Sequence, residues 1–138
     1  MDFETVVMHY LASQGLFLSP QFSVTGPDRK QWSSPDFVAL DFARHQVQVV
    51  EVTTAWDVSG LVKKVEDRKN QWFALLRSQL LQRRVIDDSW TLAVCVFVRK
   101  ERSSEFTKRF GNAQDVSVDS LEDIVFAWKW PWDEWASA

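Results

Sequence analysis

Two acidic residues stand where a pair of neighbouring strands would bring them together: Asp36, in Ser34-Pro35-Asp36-Phe37, and Glu51, in Val49-Val50-Glu51-Val52-Thr53. Fourteen residues separate them, enough for a strand, a tight turn and a return strand. A carboxylate embedded in Val-Val-Glu-Val is costly to bury unless a bound cation or a positive neighbour compensates it. That cost marks Glu51 as a residue with a task. Thr53 shares its face of the strand, because side chains alternate. Neither His9 nor His45 has partners at metal-ligand spacing, which argues against zinc. Cys95 lies within the apolar run Leu92 to Val98, where a buried structural thiol is expected rather than a nucleophile.

The elements that must position these carboxylates can be read from periodicity. Phe3, Val6, Val7, Tyr10 and Leu11 recur at helical spacing and Gly15 follows as a C-terminal stop, which predicts a first helix. Leu16 to Val24 reads as extended, with Pro20 favouring an edge or an interruption, and a turn-rich loop then runs to Ser34. Phe37 to Phe42 and Val47 to Val52 are predicted central strands joined by a tight turn at Arg44-His45-Gln46. A long helix follows, with Leu61, Val65, Trp72, Leu76 and Leu80 on one stripe and Ser59 as its N-cap. Leu92 to Val98 is expected to be a strand buried on both faces. A brief helix at Ser104 to Phe110, a short strand at Val116 to Val118 and a last helix at Leu121 to Trp128 complete an α/β fold, a mixed sheet flanked by helices.

In this order of elements the short motifs resemble the PD-(D/E)xK nuclease superfamily, with its restriction-endonuclease-like fold, over roughly Phe3 to Leu81. Asp36 matches the Asp that follows a Pro, and Glu51 the Glu of Glu-x-Lys. The resemblance implies a metal-dependent DNA endonuclease in which Asp36 and Glu51 hold Mg²⁺ or Mn²⁺ and Glu4, on the first helix, is an additional acidic ligand. Thr53 stands where the family has its lysine. The resemblance supplies a substitute, because in some members this lysine comes from the following helix, where Lys64 is the first candidate and Lys63 the second. Gln71 resembles a glutamine that some members place beside the site. Arg99-Lys100 with Arg102, and Lys108-Arg109, are candidate phosphate contacts beyond a strand end. The alternative that Thr53 favours is a catalytically inactive nuclease-fold protein acting as a nucleic-acid-binding or protein-interaction subunit.

The bulk properties fit a single domain spanning residues 1–138. There are 138 residues with 46% hydrophobic and 25% charged, near globular averages. No apolar stretch approaches a membrane span, and the acidic start Met1-Asp2-Phe3-Glu4 lacks the basic flank of a signal peptide, so a cytoplasmic protein is expected. A net charge of −3 argues against coating nucleic acid by charge alone, while leaving room for a local basic groove. The C-terminal segment 126–138 carries Trp128, Trp130, Trp132 and Trp135, with Pro131 interrupting any helix. It is expected to fold back over the sheet, or else to offer an apolar surface for a homodimer or a larger complex.

Overall fold

The protein is described by a computed structural model covering residues 2–20, 22–25, 31–33 and 35–127. Helix α1 (Phe3–Ser13) starts at Asp2, whose carboxylate accepts the Thr5 N–H at 2.8 Å, and stops before Gly15, at φ 84°. Strands β1 (Phe17–Pro20), β2 (Val24–Thr25), β3 (Gln31–Ser33), β4 (Phe37–Asp41) and β5 (Gln46–Val52) follow. After them come α2 (Ser59–Glu66), α3 (Phe73–Gln82), β6 (Thr91–Val98), α4 (Lys100–Phe110), β7 (Val116–Ser120) and α5 (Leu121–Ala127).

Five strands form one sheet in the order β1-β4-β5-β6-β7, while β2 and β3 form a separate ribbon. The β1/β4 and β4/β5 pairs are antiparallel, whereas β5/β6 and β6/β7 are parallel, so the sheet is mixed. The parallel pairs need crossovers, and the α2–α3 and α4 segments provide them. Alternation divides the sheet's side chains into two cores. Val38, Val47, Val49, Val94, Val96 and Val98 pack with Val62, Val65, Leu76 and Phe106 of α2, α3 and α4. Phe37, Ala39, Val50, Cys95 and Phe97 pack with Val7, Leu11, Leu121 and Ile124 of α1 and α5. The sheet is thus covered on both sides, and β6 is buried on both faces over Val94 to Val98 as its valine-rich run predicts.

The expected long helix is two helices. Its apolar stripe is continuous, but position 68 on that stripe is an arginine, and Arg68 is buried with 7% of its surface exposed. Arg68 Nη1 donates to the Val65 carbonyl at 2.8 Å, and Trp72 Nε1 donates to the Lys64 carbonyl at 3.0 Å. Side chains thereby take carbonyls of the last turn of α2, and a turn at residues 67–72 separates it from α3. The rest of the guanidinium grips Asp115, ahead of β7, with Nε to Oδ2 at 2.7 Å and Nη2 to Oδ1 at 2.8 Å.

Ser59 is the first helical residue of α2 and not its cap; the Asp57 carboxylate accepts both its N–H and its hydroxyl. Gln31–Ser33, expected in a loop, pairs with Val24–Thr25. Helix α4 begins four residues before the expected Ser104, because Glu122 of α5 accepts the Lys100 N–H at 2.8 Å and caps it from outside. No helix among the described residues is long and apolar enough to cross a membrane. The expectations for the tryptophan-rich tail concern residues 128–138, outside the described residues.

Candidate functional site

Register brings the two strand carboxylates together. Phe37 lies opposite Val50 in the antiparallel β4/β5 pair, so Asp36, one residue before β4, stands level with Glu51 at the open end of the hairpin. Parity sets the face of Glu51, which alternates with Val49 toward the core under α2 and α3, while Asp36 lies just outside β4, within electrostatic reach of Glu4 on α1. Asp36 Oδ2 accepts the Val52 N–H at 2.7 Å, which ties the start of β4 to the end of β5. Glu51 has only 9% of its surface exposed.

A cation meets that buried carboxylate. Lys64 Nζ lies 2.5 Å from Glu51 Oε1, reaching back from α2 as a lysine at this point in the helix can. Val62 and Val65 are buried on either side of it, and the Trp72 indole holds its carbonyl, so the backbone carrying the ammonium is fixed. Lys63 points elsewhere: it is exposed and lines a groove between α2 and α4, with Glu66, Glu105 and Arg109. Gln71 is exposed in the turn between α2 and α3. Thr53 donates its N–H to the Phe97 carbonyl at 3.0 Å and accepts the Ala55 N–H on its hydroxyl at 3.1 Å, shaping the loop that leaves β5.

Glu4 joins the cluster from α1. The charge of Asp36 raises its pKa above the usual carboxylate range, with some desolvation and a hydrogen bond to Asp36 acting in the same direction. Burial raises the pKa of Glu51; Lys64 opposes this, while Asp36 and Glu4 add to it. Lys64 pairs with Glu51 alone, while Asp36 and Glu4 add negative charge beside it, a setting that favours a further cation. Among the described residues, no three His, Cys, Asp or Glu side chains are arranged to hold a metal ion. The donors that fit are Asp36 and Glu51, hard oxygen ligands of the kind that bind Mg²⁺ through one or two carboxylates while it keeps several waters. Glu4 acts on the pair through its charge.

The raised Glu51 pKa carries a stability consequence. A carboxyl whose folded pKa exceeds its unfolded value stabilises the fold below the unfolded pKa, and that contribution is lost as pH rises through the folded pKa. At neutral pH the ionised, buried Glu51 is a burden, so metal-free Glu51→Gln protein should melt about 3 °C higher at pH 7. The advantage should vanish below about pH 4, where the wild-type group is protonated as well. Thermal denaturation monitored by circular dichroism at the two pH values measures this, and a lower melting temperature for the variant at pH 7 contradicts it.

The other basic candidates are mostly engaged. Lys100 pairs with Asp123 at 3.6 Å, Arg102 with Glu105 at 2.6 Å, and Arg109 with Glu66. Lys108 lines the α2/α4 groove, and Arg99 is exposed. Cys95 is buried, its thiol pushed up to about 12 by desolvation, which suits a structural role. His45 hydrogen-bonds Ser89 at 2.8 Å and stacks on Trp90, far along the hairpin from the carboxylates. Sequence reasoning missed Arg68 and Trp72 as the residues that end α2 just beyond Lys64; the available signal was an arginine and an indole on an otherwise aliphatic stripe.

No family model, characterised protein or solved structure matches the chain. The α/β architecture and the carboxylate–lysine cluster therefore rest on the chain's own geometry.

Proposed function

We propose that the protein is a metal-dependent DNA endonuclease of the PD-(D/E)xK type, with Asp36 and Glu51 as Mg²⁺ ligands. The observation that carries this reading is the Lys64–Glu51 contact beside Asp36: the positive charge that Thr53 cannot supply reaches the site from α2. A divalent ion held by the two carboxylates supplies charge that steadies the phosphate in its transition state and favours loss of a proton from the attacking water. The chain's own groups supply the rest. Lys64 keeps a fixed positive charge beside the place where negative charge builds on phosphorus-bound oxygens. Glu51, held by Lys64, presents its carboxylate beside Asp36 at the same place. Asp36 is oriented by the Val52 N–H and cannot swing away without giving up that bond. The net reaction adds water to a phosphodiester and yields a phosphomonoester and an alcohol.

The test is hydrolysis of plasmid, linear and branched DNA in Mg²⁺ or Mn²⁺ by the wild type and by the Asp36→Ala, Glu51→Ala double variant. Metal-dependent cleavage by the wild type and none above background by the variant is expected. Equal cleavage by both proteins, or no cleavage and no calorimetric binding of either metal by the wild type, would overturn the reading. One observation favours a second interpretation: Lys64 already neutralises Glu51, which suits a nuclease-fold protein that binds nucleic acid or a protein partner without cutting. That version keeps the fold and predicts binding with no response to metal. In either version a cytoplasmic setting is proposed, and a homodimer or larger complex formed through the tryptophan-rich tail is the proposed source of any further specificity.

A further inference from the structure

Trp56 lies in the loop between β5 and α2, five residues beyond Glu51, and 56% of its surface is exposed. The Arg102 guanidinium carbon lies 3.7 Å from the centre of its ring. Because β5 and β6 are parallel neighbours, the loop after β5 and the start of α4 leave the same end of the sheet as Glu51, and the Thr53–Phe97 hydrogen bond joins them. Arg102 is held there by Glu105, and its buried Nε has no hydrogen-bond partner among the described residues. The other exposed aromatic side chains on the sheet differ, since Phe17 and Phe42 pack edge-to-face on one another and Phe42 on Trp90. Trp56 meets a guanidinium and no second ring among the described residues, and more than half of its surface is exposed. Arg99, exposed and three residues before Arg102, has no ion-pair partner among the described residues.

An exposed indole backed by a guanidinium is a stacking surface for a flat partner. In a duplex the faces of the bases are already stacked, so an indole at the protein surface can reach one only where a strand is unpaired. The chain's net charge of −3 provides no general attraction to DNA, so affinity must be concentrated in a few such contacts. We propose that Trp56, backed by Arg102, stacks an unpaired base of a DNA strand, with Arg99 contacting a flanking phosphate. The substrate class is thereby single-stranded or locally unpaired DNA, a refinement that rests on reading the neighbouring site as one that acts on DNA.

The test is fluorescence anisotropy with an end-labelled oligothymidylate and with a blunt duplex of equal length, in EDTA. The wild type should bind the single strand more tightly than the duplex. Trp56→Ala should weaken single-strand binding by roughly ten-fold or more, and Trp56→Phe should retain most of it. Both variants should melt like the wild type, because the side chain is exposed. Asp36→Ala, Glu51→Ala protein should bind the oligothymidylate at least as well as the wild type, which separates this proposal from the nuclease reading. Loss of cleavage with intact Trp56-dependent binding supports the platform whatever becomes of the chemistry. Undiminished binding by Trp56→Ala, equal affinity for duplex, or no binding of either oligonucleotide by the wild type would overturn it.

Discussion

On the nuclease proposal, Lys64→Ala protein should hydrolyse DNA about 10²- to 10³-fold more slowly than the wild type, the usual loss when one preorganised electrostatic stabiliser is removed from a site. The side chain is 29% exposed and its backbone is held by Trp72, but the variant strands the buried Glu51 carboxylate, so its melting temperature is measured beside its activity. The second-site control is more telling. Thr53 lies two residues beyond Glu51 and one past the end of β5, and Thr53→Lys in the Lys64→Ala background returns an ammonium to the Glu-x-Lys spacing. Recovery of at least a tenth of the lost rate in a plasmid-nicking assay would show that the site needs the charge rather than the helix that delivers it. Wild-type turnover by Lys64→Ala would sink the assignment outright.

Arg68→Ala should destabilise the fold by about 3–5 kcal/mol, because it strands a partly buried carboxylate and removes three hydrogen bonds. Urea denaturation of wild type, Arg68→Ala and Asp115→Asn measures it. The pH dependence follows from Asp115, whose pKa the Arg68 hydrogen bonds and charge lower against the opposing effect of burial. A depressed folded pKa means that the stabilisation is present above the unfolded pKa and is lost as pH falls through the folded one. The gap between wild type and Arg68→Ala should therefore be widest at neutral pH and should narrow in acid, below about pH 4. A gap under about 1 kcal/mol at pH 7 would mean that the guanidinium merely replaces water.

Much of the site was legible because the hairpin carries it. Two predicted strands, Phe37 to Phe42 and Val47 to Val52, with a turn between them, bring Asp36 and Glu51 level, and the family resemblance pointed to Lys64, which the structure places against Glu51. The break after α2 was not legible from period alone, since Val65, Trp72 and Leu76 keep the helical stripe across it. What ends the helix is competition for carbonyls by the Arg68 and Trp72 side chains, a local side-chain effect that the hydrophobic period does not register. The early start of α4 depends on Glu122, twenty-two residues away, which no local pattern announces. Strand β3 is three residues long and needs β2 as its partner, too little signal to stand out from a turn-rich loop. The Trp56–Arg102 stack joins residues forty-six positions apart and was likewise invisible until the two parallel strands were placed side by side.

The β4/β5 hairpin closes at Phe42 to His45, while its paired carboxylates sit at the opposite extremity. Extra residues accommodated wholly within that bend would lengthen the connection without altering which rungs face each other. A single residue inserted into β5 between the bend and Glu51 would instead turn the acid toward α1 and away from its ammonium. The fold thus tolerates variation at one pole of the ribbon and forbids it along the rails, which gives insertional scanning a sharp map to find.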